Sequence, residues 1–116
     1  MNSADASPIV NGAPTQALLD ELVRRIVASV NPRRILLFGS AARGQMGPHS
    51  DLDVLIVMPD GVHRLETAQK LYRDLYDFDV AKDLVVITEG DLQEDRGNPS
   101  LVAYPAVREG RELYRA

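Results

Sequence analysis

Between residues 15 and 30 the apolar positions recur at helical spacing: Leu18, Leu19, Leu22, Val23, Ile26, Val27 and Val30. Side chains three and four residues apart share one helix face, so this stretch predicts an amphipathic helix packed on a core. Thr15 stands where an N-cap belongs, and Asn31-Pro32 ends the pattern. The period then changes. Ile35 to Phe38 is a short unbroken apolar run closed by Gly39, which fits a strand buried on both faces. A second such run, Val54 to Met58, is closed by the turn Pro59-Asp60-Gly61. Leu65, Ala68, Leu71, Tyr72 and Leu75 predict a second amphipathic helix. Tyr72 and Tyr76 share a face at i, i+4 spacing, and core packing is the expected role, with a partner surface as the other option. Asp83 to Thr88 has strand character, and Thr88 to Asp91 looks like a helix entry. A third helix is predicted from Ser100 through Val107, with Pro105 awkward inside it. Gly110 fits a C′ position, and Glu112 to Tyr114 a short strand or extended tail.

The connection between the first two strands is ten residues, Ala41 to Ser50. That is short for a helical crossover, so the strands are expected to run antiparallel. The architecture is then α/β: a small, mixed, twisted sheet with helices mainly on one face. A Rossmann unit is excluded, because neither a βαβ unit nor a Gly-x-Gly-x-x-Gly turn is expected here.

The junctions between these elements carry the candidate chemistry. Gly39 allows a tight turn, and Ser40 is expected to cap the next helix through its hydroxyl. A helix start entered through glycine suits an anion. Asp51 and Asp53 flank Leu52 at the head of the second strand, so they point the same way. Neighbouring carboxylates repel unless a cation sits between them or water surrounds them. Magnesium fits, since it prefers carboxylate and phosphate oxygens. A phosphate cradle beside a metal-binding pair suggests metal-assisted phosphoryl or nucleotidyl transfer. Arg43, in the loop, is either a phosphate or partner contact or a surface arginine. Ser50 either hydrogen-bonds Asp51 in place or simply enters the strand. His49 and His63 read as surface residues.

The string Phe38-Gly39-Ser40-Ala41-Ala42-Arg43-Gly44, then Ser50-Asp51-Leu52-Asp53-Val54-Leu55, resembles the signature of the DNA polymerase beta-like nucleotidyltransferase superfamily. It is most similar to the minimal nucleotidyltransferases (MNT), small prokaryotic proteins often paired as antitoxins with HEPN-domain toxins. The resemblance runs from about Thr15 to Tyr114. It implies that Asp51 and Asp53 hold two magnesium ions and that a third carboxylate lies at the head of a later apolar strand. Of Asp77, Asp79 and Asp83, Asp83 matches that place; Asp79, four residues earlier, belongs to the turn leading in, and solvated loop acids are the plain alternative for all three. Gly39 and Ser40 would meet the β- and γ-phosphates, with Arg43 and Ser50 close by.

Composition narrows the rest. The 116 residues suit one small domain, with 1–14 as a disordered lead and 15–116 as the nucleotidyltransferase domain. With no cysteine there is no disulfide, zinc–thiolate cluster or thiol nucleophile. No signal peptide and no membrane span are visible, so a cytoplasmic location is expected. A net charge of −4 and few aromatics argue against nucleic-acid binding. By resemblance the reaction is AMP transfer from ATP to a protein hydroxyl, a tyrosine of a HEPN toxin. A second copy or that partner would supply the other wall of the cleft. The rival class is a non-catalytic antitoxin that neutralises its partner by covering it. Transfer to a small hydroxyl compound such as an aminoglycoside ranks behind both.

Overall fold

A computed structural model describes residues 9–47, 49–95 and 109–116. Along the chain run β1 (Ile9–Val10), β2 (Ala13–Pro14), α1 (Gln16–Val30), β3 (Arg34–Phe38), α2 (Gly39–Ala42), β4 (Leu52–Met58), α3 (Arg64–Asp74), β5 (Lys82–Thr88), α4 (Glu89–Asp95) and β6 (Arg111–Arg115). Four strands form one mixed sheet in the order β5-β4-β3-β6. β3 pairs antiparallel with β4 and with β6, while β4 and β5 run parallel. The antiparallel β3–β4 pair is what the short connection requires, and the parallel pair is bridged by α3.

Both faces of the central strands are apolar because both are covered. Ile35, Leu37, Val54 and Ile56 join Leu19, Leu22 and Ile26 of α1, and Leu71 and Leu75 at the end of α3, in one buried cluster. Leu36, Leu55, Val57 and Ile87 face the other way and pack with Leu92 of α4. Each fully buried aliphatic side chain is worth about 1.5–3 kcal/mol, far above any surface ion pair. The sheet is therefore a rigid frame, and the site at its end can be polar without unfolding it.

Local signals set the element ends. The Thr15 hydroxyl accepts the Leu18 N–H at 3.2 Å, and Asn31 closes α1 in the left-handed region. Thr88 and Asp91 form a reciprocal cap on α4: each backbone N–H donates to the other's side-chain oxygen, at 3.1 and 3.2 Å.

Four expectations change. β4–α3–β5 is a βαβ unit where none was expected: the segment from Met58 to Lys82 is long enough to hold a crossover helix and lay β5 parallel to β4. Ser40 does not cap a helix. α2 starts at Gly39, with Phe38 at the cap position and no side-chain cap bond. Gly39 has φ +68, so the chain turns one residue earlier than a serine cap would need. Tyr72 and Tyr76 are not core residues, being 42% and 88% exposed. Leu71 and Leu75 form the buried stripe of this segment, and the tyrosines lie one residue further round. The Tyr72 hydroxyl instead accepts the Leu84 N–H of the edge strand at 2.8 Å. Of the stretch 1–14, residues 9–14 form a hairpin, β1–β2, around Asn11-Gly12. Both turn residues have positive φ, +54 and +81, the demand of a tight hairpin that Asn-Gly satisfies. The third helix foreseen at Ser100–Val107 lies outside the described residues, and the final segment is a strand, β6.

Candidate active site

The site lies where β3 ends and β4 and β5 begin. Register assembles it. Phe38 pairs with Asp53 across β3–β4, and Asp53 pairs with Asp83 across β4–β5. Asp53 and Asp83 thus stand side by side on the face of the sheet that carries Leu55, Val57 and Ile87. Asp51 lies one residue before β4 and is exposed; Asp83 is exposed and Asp53 half-buried. Asp79 is exposed in the turn before β5, outside the β4–β5 register. Lys82 faces the opposite way, its ammonium donating to the Phe78 and Val80 carbonyls at 3.0 and 3.3 Å.

Gly39 closes the floor of the site. A methyl group added to it would lie 2.3 Å from Asp53 Oδ2, at a φ that side chains rarely adopt. The bare backbone and the carboxylate therefore occupy adjoining space. Ser40 is half-buried, and its hydroxyl has no hydrogen-bond partner among the described residues. The same holds for the carboxylates of Asp51, Asp53 and Asp83. Acids elsewhere behave differently: Glu21 pairs with Arg24, Asp77 with Arg25, Asp74 with Lys70 and Asp91 with Arg64. Unpaired acids gathered at one end of a sheet are costly to the fold and available to a ligand.

Electrostatics shows the same convergence. The Asp53 carboxyl is pushed above the ordinary aspartate range, first by loss of hydration, then by Asp83 and Asp51, with Arg43 opposing. Arg43 is exposed and its Nε donates to Gln45 Oε1 at 3.0 Å. Gln45 gave no sequence signal; it joins the site through this bond and through its backbone N–H, which donates to the Ser40 carbonyl at 2.9 Å. The Ser50 hydroxyl turns away from Asp51 and accepts the Gly47 N–H at 2.9 Å, closing the loop.

Carboxylate oxygens suit magnesium by type. Among the described residues no group of three or more His, Asp or Glu side chains is drawn together tightly enough to hold a metal ion as it stands. The β4–β5 register puts Asp53 and Asp83 on one face of the sheet, with Asp51 one residue before β4. Among the described residues no helix is long and apolar enough to cross a membrane.

A sheet of this topology, with acids at the heads of two parallel strands and a positive-φ glycine against one of them, defines a class. The sequence model of the family described as "Nucleotidyltransferase domain" matches residues 19–109, and the chain belongs to that family. It is a nucleotidyltransferase. Among solved structures it is similar to a protein from Sulfolobus solfataricus assigned as a nucleotidyltransferase: 23% identity, 99% of this chain and 89% of that one covered, TM-score 0.60. It is also similar to a mutant of the toxin–antitoxin MntA–HpeT, at 20% identity, 84% and 73% coverage and TM-score 0.55. A toxin–antitoxin with AMP-PNP aligns at 24% identity, 84% and 73% coverage and TM-score 0.52. At these identities the likeness speaks for the fold. No curated protein matches the chain.

Proposed function

We propose that this chain is a minimal nucleotidyltransferase that moves AMP from ATP to a tyrosine hydroxyl of a HEPN-domain toxin in the cytoplasm, and so acts as its antitoxin. The observation that carries the reading is the set of acids beside Gly39 that have no partner among the described residues: Asp53 and Asp83 in register, with Asp51 one step away. The fold neighbours that are toxin–antitoxin structures, one holding a triphosphate analogue, support the partner and the donor.

Asp51, Asp53 and Asp83 would hold divalent cations, with magnesium as the first choice. Bound there, the ions would neutralise triphosphate charge and lower the pKa of the attacking hydroxyl. Gly39 lets the backbone approach a phosphate without a side chain in the way, and the Ser40 hydroxyl donates to a phosphate oxygen. Arg43 adds a positive charge on the same side. The tyrosine oxygen attacks the α-phosphorus, the bond to pyrophosphate breaks, and Asp83 accepts the tyrosine proton.

The test is label transfer. With labelled ATP and magnesium, the wild-type chain should label a purified HEPN toxin, and D53N and D83N should lose transfer by at least about 10²-fold while remaining folded. D79N should keep it. Label in D53N or D83N at the wild-type rate would remove the mechanism. A second reading has one observation in its favour, that no three-ligand cluster stands ready-made among the described residues: the chain would neutralise its partner by covering it. Neutralisation without label would select that reading.

A further inference from the structure

The loop that joins Ser40 to Asp51 is pinned one residue at a time. Gln45 N–H donates to the Ser40 carbonyl at 2.9 Å, Met46 N–H to the Gly12 carbonyl at 2.9 Å, and Gly47 N–H to the Ser50 hydroxyl at 2.9 Å. Two of these acceptors belong to the loop or its immediate flank. Gly12 belongs to the β1–β2 hairpin, more than thirty residues earlier in the chain. The approach is close. A methyl group added at Gly12 would lie 2.6 Å from the Gly44 carbonyl oxygen and 3.4 Å from the Met46 nitrogen, at φ +81. Backbone is packed on backbone there, so nothing can swing aside. From the pinned loop, Gln45 Oε1 accepts the Arg43 Nε–H at 3.0 Å, and the Arg43 charge acts on Asp53.

We infer that the N-terminal hairpin is a brace for the active-site loop, with Gly12 a positioning residue that acts through Met46 and Gln45 to hold the Arg43 guanidinium toward the phosphates. The inference rests on the nucleotidyl-transfer reading of the site. It gives Gly12 a part in nucleotide binding. None of the hairpin is buried, and Val10 is 50% exposed, so its contribution to the hydrophobic core is small.

The full-length chain tests this with three variants and two measurements: amide hydrogen exchange at Met46, and kinetics or calorimetry with magnesium ATP. In G12A the Met46 amide should exchange faster. KM or Kd for magnesium ATP should rise roughly three- to tenfold, the equilibrium worth of one net hydrogen bond, with kcat within about twofold. Q45A alters only an exposed side chain and should raise KM similarly with Met46 exchange unchanged. N11G keeps a residue suited to positive φ at the turn and should match wild type in both. Wild-type Met46 exchange and wild-type KM in G12A would overturn the brace, as would a fall in kcat with KM unchanged. A wild-type chain that binds no magnesium ATP would sink the nucleotide reading instead, and Met46 exchange in G12A would still decide whether the hairpin holds the loop.

Discussion

Gly39 and Gly44 share the same backbone angle, φ +68, but not the same surroundings. A methyl group at Gly39 meets Asp53 Oδ2 at 2.3 Å, and one at Gly44 meets open space. The two alanine variants therefore separate conformational strain from damage to the site. Each should lose about 1–2 kcal/mol of stability from the left-handed backbone. G39A should lose transfer by a further factor of about 10², because Asp53 must move by roughly an ångström. G44A should keep transfer within a few-fold. Urea melts and label transfer on both variants check this. Equal transfer in the two would mean that the contact between Gly39 and Asp53 has no catalytic consequence.

At the scale of elements, the edge strand β6 is held to β3 by charge as well as by backbone pairing. Glu112 accepts from Arg115 at 3.0 Å and from Arg34 Nε at 2.6 Å, tying β6 to β3. Hydrogen bonding from Arg115, then from Arg34, holds its carboxyl below the usual glutamate range. A depressed folded-state pKa means that the unfolded chain binds more protons in acid. The contribution is complete above the ordinary glutamate pKa of about 4.3 and fades as pH falls through the lower folded value. E112Q should cost about 0.5–1 kcal/mol at pH 7, and the gap to wild type should narrow by about pH 3.5. A gap independent of pH would assign the loss to packing.

What the sequence reveals about these elements follows from what is periodic in it. Leu19, Leu22 and Ile26 recur on one face, and the apolar runs at Ile35–Phe38 and Val54–Met58 mark strands covered on both sides. The length of the connection between them sets their direction. The choice of Asp83 over Asp79 comes from the family resemblance, which places a third carboxylate at the head of the apolar run after Lys82. Features made by contact between distant backbones leave no such trace. Tyr72 serves the edge strand because β5 has no further neighbour, a tertiary fact. Ser40 misses the cap because Gly39 turns the chain first. The approach of Gly12 to Gly44 joins segments with no shared pattern, although Asn11-Gly12 is itself a hairpin signal.

Over the whole molecule, the apolar frame and the polar site are separate in energy as well as in space. The two clusters on the faces of the sheet hold the fold, and the three acids at its end stand without partners among the described residues. The chain also carries a net charge of −4, so further negative charge on one end is unfavourable. Asp53 has a folded-state carboxyl pKa raised by lost hydration, then by Asp83 and Asp51. For a raised acid the sign reverses relative to Glu112: the folded state binds the proton better, so the penalty is absent below the ordinary aspartate pKa of about 3.9 and complete above the raised value. The triple variant D51N/D53N/D83N should therefore melt higher than wild type at pH 8 in chelator, by on the order of a few degrees. The difference should shrink as pH falls toward 4. Magnesium should raise the melting temperature of wild type by binding the folded state alone, and leave the triple variant where it was. Calorimetry across pH with and without magnesium measures all three effects. A triple variant that melts lower than wild type at pH 8 would mean that the acids hold the fold together and are not kept for a ligand.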